Sequence, residues 1–280
     1  MHTHYPIRRL NAWRLGSTVR YYSEPVTQQG LVDIYRKHPN NVIWLGLGSN
    51  ILFPDHELDA HIIKTGKALS HLTHAQHIDV GAGVTLAKLA RFCTKLGYED
   101  AAFLAGIPGT VGGALRMNAG AYKHEMWDYV ESVDVLTDMG VKTLSKDDFV
   151  VGYRHVQCHE PMVMFLSARL SFVQGCKNKA LGLIRQYLTQ RNSTQPIGTF
   201  NCGSVFRNPQ GHSAWRLIDG LGLRGYQIGG ARISPMHANF IENVNMQARS
   251  EDVWQLIRMV QQKVLDNDGM HLELEVTVYE

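Results

Sequence analysis

The stretch NCGSVFRNP, residues 201–209, sets Cys202 and Ser204 two positions apart in a polar, glycine-bearing segment. A thiol or hydroxyl in such a place can attack a carbonyl or pass a proton. No GxSxG surrounds Ser204, which disfavours the nucleophile elbow of an α/β-hydrolase. Three other side chains carry chemistry with less context. Arg154 follows an apolar run, and its planar fork suits either a carboxylate clamp or a surface strand. Glu275 falls on the polar face of LELEV, where a solvated carboxylate is the ordinary reading. His237, in SPMHANFIEN, reads by default as a core or surface histidine. YRHVQCHE gathers His155, Cys158 and His159 but lacks further matched ligands or thiolate pairs, so no metal site is expected.

The strongest local signal is AGIPGTVGGALRMNAGAY, residues 105–122, with five glycines and one proline. Glycine lets backbone N–H groups approach a ligand, and a run of such amides makes a concavity suited to a pyrophosphate. A tight structural loop is the equal alternative. GLGLRG, residues 220–225, matches GxGxxG but follows a helix, so it reads as a helix end and turn. GLGSN and GAGV lack the third glycine of a dinucleotide fingerprint, and no Walker A sequence is present.

These groups need elements to hold them. Residues 42–45 and IDVGAGV read as strands, and Thr85 caps a helix with Leu86, Leu89, Ala90, Cys93 and Leu96 on one side and Gly97 at its end. VESVDVLT and PMVMFLSARLSF read as further strands. A helix after residue 176 carries Leu181, Ile184 and Leu188; a short one begins after Ser213; a long one, capped by Ser250, carries Val253, Leu256, Ile257, Val260 and Val264. HLELEVTVY alternates as a strand with one apolar face. The chain's 280 residues favour two domains, with a break expected at 175 (residues 1–175 and 176–280). A net charge of +3 is too mild for nucleic acid but fits an anionic small molecule. Four scattered cysteines, the absence of an apolar leader and the absence of a membrane-length run lead to the expectation of a reduced, cytoplasmic protein without membrane contact.

Seven stretches, LGLGSNIL, GIPGTVGGALRMNAGAY, YR, RNSTQP, CGSVFRNP, ISPMHANFIEN and LELEV, occur in an order that resembles the UDP-N-acetylenolpyruvoylglucosamine reductase family over nearly the whole chain. The resemblance implies an α+β fold: a two-part FAD-binding domain of the vanillyl-alcohol-oxidase (PCMH) type and a C-terminal α+β substrate domain. It implies non-covalent FAD, because the first glycine turn reads Gly48-Ser49-Asn50 without a tethering histidine. Cofactor contacts are then expected at Gly46, Gly48, Ser49, Asn50, Gly106, Ile107, Pro108, Gly109, Thr110, Gly112, Gly113, Asn118, Ala119 and Gly120. Ser204 matches the proton donor, Arg154 and Glu275 the other catalytic positions, and Arg191, Asn208 and His237 the substrate contacts.

The implied reaction is NADPH-dependent reduction of a UDP-sugar enol ether in peptidoglycan precursor synthesis, by a monomer or weak oligomer. The segment between Arg154 and Arg191, read as one strand and one helix, resembles the compact subtype without a tyrosine-bearing insertion. Ala12, Ser17, Val156, Thr194 and Met236 depart from residues common in the family. Two competing functions are another FAD oxidoreductase acting on an alcohol or hydroxy acid, and a flavin- or UDP-sugar-binding module without activity.

Overall fold

The structure is a computed structural model that describes residues 1–280. In chain order it begins with β1 (His2–Pro6), β2 (Thr18–Ser23), α1 (Gln28–Lys37), β3 (Val42–Leu45), β4 (Ile51–Leu52), β5 (Leu58–Lys64), β6 (Leu72–His74), β7 (Ile78–Gly81) and α2 (Leu86–Lys95). Next come α3 (Val111–Met117), β8 (Gly120–Ala121), β9 (His124–Glu125), β10 (Val130–Thr137), β11 (Gly140–Ser145), β12 (Phe149–Gly152), β13 (His155–Cys158), β14 (Met164–Leu170) and α4 (Lys177–Thr194). The C-terminal part holds α5 (Ala214–Gly220), β15 (Gln227–Ile228), β16 (Ala231–Ile233), β17 (Ile241–Asn243), α6 (Ser250–Asp268) and β18 (Thr277–Val278).

The chain forms two compact units. The first comprises Ser23–Leu47 and His61–Arg191, with Met1; the second comprises His2–Tyr22, Gly48–Ala60 and Asn192–Glu280. These do not divide at residue 175. Helix α4 goes with the first unit through Arg191, because Ile184 and Tyr187 pack on that unit's core. Residues 2–22 go with the second unit, because Trp13 and Leu15 are buried in its core.

In the first unit a five-stranded antiparallel sheet runs in the order β11-β10-β14-β7-β6. Val133, Val135, Leu166, Ala168 and Leu170 from its strands join Leu86, Leu89, Ala90 and Cys93 of α2 in one core. The helix begins where expected, with the Thr85 hydroxyl accepting from the Lys88 amide. The stretch expected as a glycine loop contains α3, capped by Thr110, whose side chain accepts from the Gly113 amide. Trp127 donates its indole N–H to the Leu115 carbonyl at 2.8 Å and fixes that helix from below. Two strands, β13 and β14, lie between Arg154 and α4 rather than one. Val156 is buried, which accounts for an apolar residue there.

In the second unit β15, β16 and β17 form an antiparallel sheet against which α6 packs its buried Val253, Leu256, Ile257, Val260 and Val264. Two local expectations are corrected. Ser250 is the first residue of α6 rather than its cap: the Asp55 carboxylate accepts from the Ser250 and Glu251 amides at 2.9 and 3.0 Å, an external anion serving the orphan donors of the first turn. The C-terminal segment is not one strand. Its alternating burial holds, with Leu272 and Val276 buried and Glu273 and Thr277 exposed, but the chain bends at Glu275 and Val276, whose amides both donate to the Val205 carbonyl. Upstream it pairs with residues 205–207; downstream β18 runs parallel to β4.

Trp13 ties the N-terminal segment into this unit. It is fully buried and donates its indole N–H to the Ile241 carbonyl at 2.7 Å. Trp13→Ala leaves a large void and an unpaired carbonyl, so urea denaturation is expected to show a loss of about 3–5 kcal/mol.

Candidate active site

The residues singled out by sequence divide between the units. Gly46, residues 106–120, Arg154 and Arg191 belong to the first; Gly48, Ser49, Asn50, Ser204, Asn208, His237 and Glu275 belong to the second.

In the first unit, two loops lie side by side. A Cβ on Gly46 would sit 2.5 Å from the Thr110 Oγ1, so only glycine lets the residue 46 turn approach the residue 110 turn. The amides of Val111 and Gly112 are occupied by the Val84 and Ala82 carbonyls, and that of Gly113 by Thr110 Oγ1. The amides of Gly46, Leu47, Gly109 and Thr110 donate to nothing in the protein. Four such N–H groups in two touching loops fit the oxygens of a phosphoanhydride. Leu47 carries no side-chain signal for this, which is why sequence reasoning passed over it.

Asn118 ends α3 in the left-handed region (φ +42°) and is buried. Its Nδ2 donates to Glu125 Oε2 at 2.7 Å and to the Gly152 carbonyl at 3.1 Å, while its Oδ1 accepts from the Trp127 amide. The side chain therefore shapes the loop from within. Its carbonyl and that of Gly120 accept from the Arg154 guanidinium at 3.2 and 3.5 Å. Arg154 is not in a strand: it occupies the two-residue turn between β12 and β13 at φ +52°, a conformation costing a non-glycine residue about 1–2 kcal/mol. It lines a cleft of about 410 Å³ with Gly120, Ala121, Lys123, His124, Glu125, Asp128 and Tyr153.

Arg191, on α4, is brought to the glycine loop through Tyr122. The Tyr122 ring stacks on Tyr187 with centroids 3.9 Å apart, and its hydroxyl donates to the Tyr187 carbonyl at 2.7 Å. A Cβ on Gly106 would touch both the Tyr122 ring and the Arg191 Cδ. Burial pulls the Arg191 guanidinium below its ordinary pKa, yet an arginine keeps its charge at neutral pH. Nothing in the sequence marked Tyr122 and Tyr187, 65 residues apart, as partners.

In the second unit, main-chain bonds hold the Ser204 segment on both sides. Val205 donates to the Asn239 carbonyl and accepts from the Glu275 amide at 2.8 Å. Asn239 adds two side-chain bonds to the Phe206 backbone. Gly203, at φ +77°, turns the chain immediately before Ser204. The Glu275 carbonyl accepts from Asn50 Nδ2 at 2.9 Å, so three expected site residues, Asn50, Ser204 and Glu275, converge.

Gly48 has a structural reason to be glycine: at φ +66°, a Cβ would overlap the Leu10 carbonyl oxygen. Asn208 accepts from the Ala214 amide at 3.0 Å and supplies the α5 cap that the Ser213 side chain does not. His237 Nδ1 accepts from the Asn239 amide, leaving its proton on Nε2, and burial lowers its pKa, so the ring is neutral at pH 7.

Two family models match separate parts of the chain, and the first of them also takes in residues 48–60 of the second unit. Residues 21–145 match the family model described as an FAD binding domain, and residues 195–279 match that of the UDP-N-acetylenolpyruvoylglucosamine reductase C-terminal domain. The chain is 39% identical over 298 residues to the UDP-N-acetylenolpyruvoylglucosamine reductase of Coxiella burnetii, covering 98% of this chain and 94% of that one. The chain belongs to the UDP-N-acetylenolpyruvoylglucosamine reductase family. Identity to the Legionella pneumophila enzyme of the same name is 39% over 278 residues, covering 98% of this chain and 91% of the relative. The crystal structure of the family member (MurB) from Thermus caldophilus superposes with a TM-score of 0.83 at 31% identity, covering 98% of this chain and 97% of that one. The fold is thus the α+β pairing implied by the resemblance, an FAD-binding domain of the PCMH type with the family's C-terminal domain.

Cys202, beside Ser204, is buried, and burial pushes its thiol up to about 12. Cys93 is likewise pushed up to about 12, whereas Cys176 is exposed. Thiolates, not thiols, react with disulfide reagents. Titration of the native protein with a chromogenic disulfide at pH 8, followed by peptide mapping, is expected to label Cys176 and spare Cys93 and Cys202 until the chain is denatured.

Proposed function

We propose that this protein reduces UDP-N-acetylenolpyruvoylglucosamine to UDP-N-acetylmuramate with electrons from NADPH, a step in peptidoglycan precursor synthesis. In this reading the part matched over residues 21–145 binds the flavin and the part matched over residues 195–279 binds the sugar nucleotide. Bound FAD supplies the chemistry that relays a hydride from NADPH to the terminal carbon of the enol ether. Gly46, Leu47, Gly109 and Thr110 are the residues that hold its pyrophosphate through backbone N–H groups. The observation that carries the reading is the pair of bonds that ties Asn50 to the Glu275 carbonyl and the Glu275 amide to the carbonyl of Val205, next to Ser204, in a chain of this family.

Addition of hydride leaves a carbanion next to the substrate carboxylate, delocalised as an enolate. That developing charge is what protein groups must stabilise. Arg154, forked and permanently charged, suits the carboxylate. Ser204 Oγ gives its proton to the carbon bearing that charge. A hydroxyl is a weak acid in water, but it serves a strongly basic carbon when its position is fixed; the bonds at Val205 and Phe206 hold the backbone that follows it. Glu275, whose amide donates to the Val205 carbonyl beside Ser204, is the third catalytic position. Arg191, Asn208 and neutral His237 contact the substrate.

Ser204→Ala separates the two halves of the cycle. NADPH-dependent bleaching of the flavin absorbance is expected to proceed at the wild-type rate, and anaerobic reoxidation by the enol ether to slow by about 10²–10⁴-fold. Loss of bleaching would instead assign Ser204 to the first half.

A further inference from the structure

The cleft around Arg154 contains a second cation that the proposed reaction has not used. Strands β8 and β9 pair Gly120 with Glu125 and Ala121 with His124, leaving Tyr122 and Lys123 as a two-residue turn. Both have positive φ, +56° and +68°, the sign pattern of a type I′ turn, which Asn-Gly ordinarily fills. The sequence meets this demand with a tyrosine and a lysine. Tyr122 is held by its stack on Tyr187 and its bond to the Tyr187 carbonyl. With its neighbour clamped, Lys123 stands exposed on the wall of the cleft.

The other charged and titratable side chains of that cleft have protein partners. Glu125 accepts from Asn118, Asp128 accepts from the Glu125 amide, His124 Nδ1 is hydrogen-bonded to the Tyr129 hydroxyl, and Arg154 donates to two backbone carbonyls. Lys123 has none. A hydrated point charge on a flexible stem suits a phosphate, as the flat fork of arginine suits a carboxylate.

We propose that Lys123 is a phosphate-binding residue: its ammonium holds a phosphate group of the same anionic ligand whose carboxylate or neighbouring group reaches Arg154. Two ligands of the proposed reaction carry that chemistry, the sugar nucleotide and the dinucleotide, so this inference rests on the functional reading above.

The test uses the FAD-loaded protein and its Lys123→Gln, Lys123→Arg and Lys123→Gly variants. Dissociation constants for UDP-N-acetylglucosamine and for NADP⁺ are measured separately, by perturbation of the flavin spectrum, at low and high salt. Lys123→Gln is expected to weaken one of the two about tenfold and to flatten its salt dependence, identifying the source of the phosphate; Lys123→Arg is expected to restore most of the affinity. Lys123→Gly is expected to weaken binding equally while raising the melting temperature, because glycine relieves the turn. A role confined to shaping the turn would instead leave both dissociation constants at the wild-type value in Lys123→Gln, and that result overturns the proposal. Turnover of the enol ether by the wild-type protein is the independent control. Its absence, with ligand binding still weakened in Lys123→Gln, would reject the functional reading and leave a nucleotide-phosphate site.

Discussion

Close backbone approach at two glycines is the constraint on which the candidate site depends. The turn after β3 carries Gly46, whose missing side chain admits Thr110, and then Gly48, whose missing side chain admits the Leu10 carbonyl. The boundary between the two units falls between these residues, after Leu47. Each glycine is thus seated against its own unit, and any larger residue would collide with the Thr110 side chain at the first place and with the Leu10 backbone at the second. The amides of Gly46 and Leu47 have no protein acceptor, and neither do those of Gly109 and Thr110 in the turn that Gly46 admits.

Positioning elsewhere follows a different rule. In place of bare backbone, a buried amide side chain organises a loop in each unit. Asn118 joins the end of α3 to Glu125, Trp127 and Gly152 in the first unit. Asn239 grips Phe206 on both its N–H and its C=O in the second. Each asparagine is buried, so each unmade bond would cost about 1–3 kcal/mol, and the loops have little freedom to relax. Arg154 and Ser204 both sit beside such an amide-held loop rather than on a regular element, which is how irregular chain acquires the fixed geometry that proton and charge placement need.

Much of this was legible in the residues. The Thr85 cap and stripe of α2, the apolar run of β14 and the stripe of α6 follow from spacing alone, because one side of each element must meet a core. What was illegible involved choices made by distant partners. Ser250 looks like a cap, but Asp55 supplies the acceptor from a loop 195 residues away. LELEV alternates as a strand should, yet a single carbonyl at Val205 takes two successive amides and bends it. Arg154 follows an apolar strand and lies instead in a left-handed turn, since pattern does not report φ. The glycine-rich stretch hid a helix because Val111, Ala114 and Leu115 supply too short an apolar stripe to stand out between glycines. The motifs of the family were clear, but not that Asn118 would turn its side chain inward.

The make-up of the second unit bears on how the chain acquires its structure. Its three pieces are separated by the whole of the first unit, and one of its largest fully buried side chains, Trp13, bonds to a residue 228 positions later. During synthesis, residues 23–191 leave the ribosome complete enough to close their own sheet, while Trp13 and its apolar neighbours wait without a partner until β17 emerges. The long separation makes closure of the second core the slow, high-contact-order event.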